Sequence, residues 1–212
     1  MLPQRALYWP ARHMLIVADI HFGKAAAFRA QGIPVPRGTT KQNLDALEAL
    51  ILEHDIGHVV FLGDFLHARA AHAKATLAAL RQWRLRFQRL RLTLVRGNHD
   101  LHAGDPPCDL AIEMVNEPHC VGPFLFCHHP DLPPNSGVGG YVVAGHVHPT
   151  YRLAAHGDSV RLPCFLLGKD AALLPSFGAF TGGHTISGGA ARSRGQRIFV
   201  VTDDTVFEIP LA

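Results

Sequence analysis

The stretch LRLTLVRGNHD, residues 90–100, changes character halfway along. Residues 90–95 are rich in Leu, Thr and Val, the composition of a buried strand. Asn98, His99 and Asp100 follow at once, and their polar groups are costly to bury without partners. Four other apolar runs end the same way. MLIVA (14–18) leads into Asp19-Ile20-His21, and HVVFL (58–62) leads into Gly63-Asp64. FLFC (124–127) leads into His128-His129, and YVVA (141–144) into Gly145-His146-Val147-His148. If several of these strands run parallel, their carboxyl ends meet on one edge, where α/β folds place ligands. Gly63, Gly97 and Gly145 stand where the chain must turn sharply or let another group come close.

Two helical patterns lie between the early strands. Residues 39–55 (TTKQNLDALEALILEHD) open on a Thr that predicts a cap and repeat apolar residues at Leu44, Leu47, Leu50 and Ile51. Residues 70–87 do the same with Leu77, Leu80, Trp83 and Phe87. RIFVV (197–201) and TVFEI (205–209) flank the turn TDD and predict a hairpin. Helices alternate with strands in the first half and strands dominate the second, which predicts two sheets packed face to face with helices outside. Loops are expected at 32–38, 133–140 and 187–195, the last being small, polar, basic and the best candidate for disorder. With no linker and no solenoid repeat, one domain over 1–212 is expected.

The chain has 212 residues, 48% hydrophobic and only 17% charged, with a formal net charge of +3. That balance permits a polyanionic partner without requiring one. No apolar run approaches the roughly 20 residues that span a bilayer. No signal peptide is evident and the four cysteines lack CxxC spacing, so a soluble protein of the reducing cytoplasm is expected.

Histidine, at 15 residues, is the unusual component. Asp19, His21, Asp64, Asn98, His128, His146 and His148 offer seven donors. That is too many for one tetrahedral ion, which takes about four. Seven suit two ions if one carboxylate is shared. The mixture of carboxylate, amide and imidazole fits Mn²⁺, with Fe and Zn²⁺ as alternatives, and excludes a thiolate-rich zinc site.

Taken in order, DIH, GDFLH, GNHD, CHHP and GHVH resemble the five motifs of the calcineurin-like metallophosphoesterase superfamily. The resemblance implies a four-layer α/β/β/α sandwich, two mixed sheets flanked by helices. It implies that Asp19, His21 and His148 bind one metal, that Asn98, His128 and His146 bind a second, and that Asp64 bridges them. The family's His-x-Pro pattern favours His128 over His129 as the ligand. His67 stands where many members carry Asp, so the resemblance assigns it no role. The non-ligand histidine of the motif is His99, expected to stabilise the transition state or protonate the leaving oxygen, with Asp100 orienting its ring.

A narrower similarity lies in FGKAAAFRAQGIPVPRGTT, FLHARA, RGNHDLHAGDPP and LPSFGAFTGGH. These stretches look like the bacterial ligase-associated DNA-repair endonucleases and phosphoesterases. That similarity implies DNA as substrate, functional association with a DNA ligase and a helicase, and Lys24, Arg37 and His184 as substrate contacts. Arg69, close behind Asp64, joins them. The arginines of 81–96 (Arg81, Arg84, Arg86, Arg89, Arg91, Arg96) agree with a phosphate-rich ligand, although a solvated helix face explains most of them equally well. Two rival readings use the same motifs. One is a phosphatase or small-nucleotide (cyclic nucleotide) phosphodiesterase, and the other is a non-catalytic scaffold of the same fold.

Overall fold

The structure, a computed structural model, describes residues 1–131, 139–155 and 157–210. Most of the expected loop at 133–140 therefore lies outside the described residues. In the first sheet, β1 (Leu7–Trp9), β2 (Met14–Ala18), β3 (His58–Leu62), β4 (Arg91–Val95) and β5 (Glu113–Val115) stand side by side in that order. β1 is antiparallel to β2, and the other neighbours are parallel. The second sheet contains β6 (His119–Val121), β7 (Phe124–Cys127), β8 (Tyr141–Ala144), β9 (Pro149–Ala155), β10 (Asp158–Leu167), β11 (Ala171–Leu173) and β12 (His184–Thr185), in the order β12-β9-β10-β11-β8-β7-β6. β13 (Arg197–Val201) pairs with β10 and forms the expected hairpin with β14 (Val206–Ile209).

The apolar runs are unbroken because these strands are covered on both faces. Leu15, Val17, Val59, Phe61, Leu92 and Leu94 pack toward α2 (Thr39–Glu53) and α3 (Lys74–Arg86), meeting Leu47, Leu50, Leu80 and Trp83. The alternate residues Met14, Ile16, Ala18, Val60, Leu62 and Val95 meet Phe126, Val143, Phe165, Leu174 and Val201 of the second sheet. The pairs Ile16↔Val60 and Val60↔Thr93 hold this register. A one-residue slip would exchange the two cores, so the pattern specifies the pairing. The outer face of the second sheet is covered by α5 (Gly188–Ser193), whose Ala191 packs with Cys164, Leu166, Ile198 and Val200. The layer order is thus α/β/β/α, with a thin fourth layer.

Several local expectations change. Residues 187–195, read as disordered, instead fold into α5, with the Ser187 Oγ accepting from the Ala190 N–H. Small residues there allow close approach to the sheet. The Thr cap at residue 39 is absent: α2 begins after Gly38 at φ 94°, without a side-chain cap. The second helix starts at Lys74, because Arg69–His72 form a separate 3₁₀ turn. Two short helices carried no readable period, α1 (Lys24–Ala30) and α4 (Asn98–Ala103). No described helix is long and apolar enough to cross a membrane.

Candidate metal centre

Parallel pairing of β2, β3 and β4 sends Asp19, Asp64 and Asn98 to the same edge of the first sheet. Parallel pairing of β7 and β8 sends His128 and His146 to the edge of the second. The two edges meet tightly. A Cβ on Gly63 would lie 2.1 Å from His128 Nδ1, one on Gly97 would lie 2.6 Å from Asp64 Oδ1, and one on Gly145 would lie 2.6 Å from Asp19 Oδ2. Each glycine is where the sequence places it because no side chain fits there. The turns are also strained. Of nine non-glycine residues with positive φ among the described residues, five are Asp19, His21, Asp64, His146 and His148. Such conformations cost about 1–3 kcal/mol each and concentrate at functional sites.

All seven predicted donors come together. Asp19 Oδ1 lies 3.3 Å from His148 Nε2, and His21 Nε2 lies 3.6 Å from Asp64 Oδ2. On the other side of Asp64, Oδ1 is 3.5 Å from His128 Nε2, which is 2.8 Å from Asn98 Oδ1 and 3.0 Å from His146 Nδ1. The Asp64 carboxylate therefore stands between two donor groups, with one oxygen toward each. A metal fits this arrangement. Asp19 Oδ1, His21 Nε2 and His148 Nε2 are buried without any hydrogen-bond partner, a state that ordinarily costs about 1–3 kcal/mol for each group. Donor atoms of Asp19, His21, Asp64 and His148 lie within 4.8 Å of one another. His128 donates its Nδ1–H to the Leu62 carbonyl at 3.1 Å, so its Nε2 lone pair points at the Asn98 oxygen, and a cation resolves that opposition.

Burial favours the neutral form, the one that ligates, at His21 and His128. It pushes the His21 pKa far down, with Lys24 and His148 adding to the effect, and it lowers His128 as well. Burial also lowers His67 to about 4, reinforced by Lys24 and His99. At His148 burial pulls down, but the Asp19 carboxylate outweighs it and the pKa rises. Asp64 is raised by burial, an effect reduced by His99.

His99 sits on α4 with its Nδ1 2.7 Å from the His67 carbonyl and its Nε2 4.0 Å from Asp64 Oδ2, while its own N–H donates to Asp64 Oδ1 at 3.0 Å. Asp100 departs from expectation, since it does not orient that ring. Its carboxylate accepts from the N–H groups of Gly97 at 2.9 Å, Phe65 at 2.9 Å and Leu66 at 3.3 Å, tying the GNHD turn to the GDFL turn. The His67 carbonyl takes the orienting place.

Of the predicted substrate contacts, Lys24 is at the site, half-buried and felt electrostatically by Asp64 and Asp19. The backbone N–H of His184 donates to the His148 carbonyl at 3.0 Å, which brings its strand to the rim. Arg37 and Arg69 are exposed and make no described contact with the donors. Most of the arginines of 81–96 have structural employment. Arg81 pairs with Asp109, Arg86 with Glu48, Arg91 with Glu113 and Arg96 with Asp105. Arg84 donates to the carbonyls of Phe87 and Leu90.

Sequence reasoning missed four supporting groups. Glu117 accepts from the N–H of His128 at 2.7 Å and of His129 at 2.9 Å, and its other oxygen lies 2.6 Å from His129 Nδ1. Ser176 Oγ donates to the Asp19 carbonyl at 2.7 Å. Asn43 Nδ2 donates to the Ile20 carbonyl at 3.0 Å, and its Oδ1 accepts from the Ala179 N–H at 2.9 Å. His67 lies against His21, with their Nδ1 atoms 3.3 Å apart. Two of these had a signal: Ser176 is part of the LPSFGAFTGGH stretch singled out above, and His67 is part of FLHARA.

Carboxylates and neutral imidazoles gathered at the shared edge of two mixed sheets, with helices outside, define a metal-dependent phosphoesterase. The chain belongs to the calcineurin-like phosphoesterase family, whose model matches residues 13–166. Among solved structures it is similar to the Pseudomonas putida nuclease MPE, at 42% identity and a TM-score of 0.84, covering 99% of this chain and 94% of that one. It is more remotely similar to AQ665, a protein of unknown function from Aquifex aeolicus, at 19% identity and a TM-score of 0.42 over 68% of this chain and 81% of that one. The E. coli phosphoesterase Yfce aligns at 14% identity and a TM-score of 0.43 over 94% of this chain and 99% of that one. No curated protein matches the sequence.

Proposed function

We propose that this enzyme is a two-metal phosphodiesterase that cuts DNA, in the setting of DNA repair, with Mn²⁺ as the working ion. The observation that carries the reading is the set of buried, unpartnered donors, Asp19 Oδ1, His21 Nε2 and His148 Nε2, facing a carboxylate that also serves a second donor group. In this reading Asp19, His21 and His148 hold one ion, Asn98, His128 and His146 hold the other, and Asp64 spans both. When bound, two such ions supply an activated water near neutral pH and neutralise phosphoryl oxygens. The chain does the rest. His99 points Nε2 toward the site because its Nδ1–H is spent on the His67 carbonyl, so in its imidazolium form, with a second proton on Nε2, it is placed to protonate the leaving oxygen. Lys24 sets an ammonium beside the two carboxylates, which favour its charged form against the opposing effect of burial. An extended substrate is favoured because the donor edge opens to solvent at His146 and His99, and because a protein 42% identical is a nuclease.

The test is a substrate panel with Mn²⁺: bis(p-nitrophenyl) phosphate, single-stranded DNA, nicked duplex DNA, 2′,3′-cyclic nucleotides and phosphomonoesters. Cleavage of bis(p-nitrophenyl) phosphate and of DNA is expected, and Asp64→Asn or His146→Ala should abolish it while the fold persists. Full activity in either variant would overturn the donor assignment. Turnover confined to monoesters or cyclic nucleotides would overturn the substrate.

A further inference from the structure

Three imidazoles at the centre spend their outward nitrogen alike. His128 Nδ1 faces the Leu62 carbonyl at 3.1 Å, His148 Nδ1 faces the Gly182 carbonyl at 3.1 Å, and His99 Nδ1 faces the His67 carbonyl at 2.7 Å. A carbonyl only accepts, so each ring keeps a proton on Nδ1 and turns Nε2 inward. His21 breaks the pattern. Its Nε2 faces Asp64 and has no hydrogen-bond partner, but its Nδ1 lies 3.3 Å from the Nδ1 of His67 rather than from a carbonyl. Two imidazole nitrogens at that distance share one proton, and which ring carries it decides whether His21 can ligate.

We propose that His67 is a positioning residue whose unprotonated Nδ1 accepts the His21 Nδ1–H, fixing the tautomer that aims the His21 Nε2 lone pair into the centre. The inference rests on the reading of His21 as a ligand given above. The His67 ring is held for this task. It stacks on His99 with centroids 4.8 Å apart and an interplanar angle of 23°, and Phe28 lies against it at 5.9 Å. The same residue's carbonyl fixes His99, so position 67 sets two histidines that both face Asp64 Oδ2, one through its ring and one through its backbone. Most ligating histidines give their outer N–H to a carboxylate, a carbonyl or water. An imidazole does the same work only in one tautomer, with its own proton on Nε2.

Two variants separate accepting from packing. His67→Phe keeps a ring against His99 and removes the acceptor, whereas His67→Asp supplies an acceptor that cannot donate. Long-range ¹H–¹⁵N spectra of the full chain, labelled at histidine and free of added metal, read the His21 tautomer directly. We expect His21 protonated on Nδ1 in the wild type and in His67→Asp, and no longer held so in His67→Phe. Calorimetric titration with Mn²⁺ should show affinity reduced about 10–100-fold in His67→Phe and nearly preserved in His67→Asp. A wild-type His21 protonated on Nε2 would overturn the proposal, as would equal losses in both variants or undiminished Mn²⁺ affinity in His67→Phe. A wild type that binds no Mn²⁺ would sink the two-metal reading instead, and the spectrum would still decide the tautomer.

Discussion

The Asp100 carboxylate accepts three backbone N–H groups from two different turns, and it is buried at 1% exposure. Burial raises its pKa to about 6, against the pull of those three donors. Replacing it by asparagine leaves one oxygen for donors that now use two and turns an NH₂ toward an N–H. Asp100→Asn should therefore cost about 1–3 kcal/mol, a fall in melting temperature of about 3–10 °C, with activity dropping as both turns shift. A variant as stable as the wild type in thermal melts would mean that these three contacts do not hold the two turns. The residue scale also shows what a sequence can carry. Asp19, His21, Asp64, Asn98, His128, His146 and His148 were legible because each follows an apolar strand. Glu117 was not, because its function is to accept from the backbone of His128 and His129, and any acidic residue in a loop looks the same.

At the scale of elements, the parallel strands were legible because burial on both faces leaves no polar residue to interrupt them. β9 and β10 were not, since their partly exposed positions carry Arg, Thr, Ser and Asp. α4 is six residues long and its sequence is dictated by the centre, so helical periodicity had no room to show. One polar pair inside the first sheet offers a pH test. His58 opens β3 with Nε2 2.9 Å from Thr93 Oγ1 of β4, both buried. Burial, then Arg91, lowers the His58 pKa to about 4; Glu113 opposes and His119 assists. The folded state thus binds this proton less readily than the unfolded chain, whose histidine titrates near 6.5. The stability it lends is present above about pH 6.5 and is lost as pH falls from there through about 4. Denaturant unfolding of wild type and His58→Gln across that window should show the wild type losing up to about 3 kcal/mol more than the variant. Parallel pH profiles would mean that the ring protonates freely in the fold.

At the scale of the whole molecule, the two sheets are joined by an apolar core on one side and by a polar seam on the other. Asp19, Asp64, His21 and His128 are all at or below 4% exposure, on loops from both sheets. Without a cation, two buried carboxylates and several lone pairs confront each other across that seam, and the strained turns carrying them gain nothing in return. Divalent ions bound there would act as structural links between the sheets as well as reagents. Because the donors lie far apart along the chain, the unfolded state cannot offer the same site, and binding becomes folding free energy. A single Mn²⁺ at 100 times its dissociation constant adds about 2.7 kcal/mol, which for a chain of this size raises the melting temperature by about 5–10 °C. Melts of chelator-treated protein titrated with Mn²⁺ should show that rise, still climbing with concentration, while Asp64→Asn should flatten it. An unchanged melting temperature over the whole titration would mean that the seam closes without ions, and that its unpartnered donors are tolerated for some reason other than metal binding.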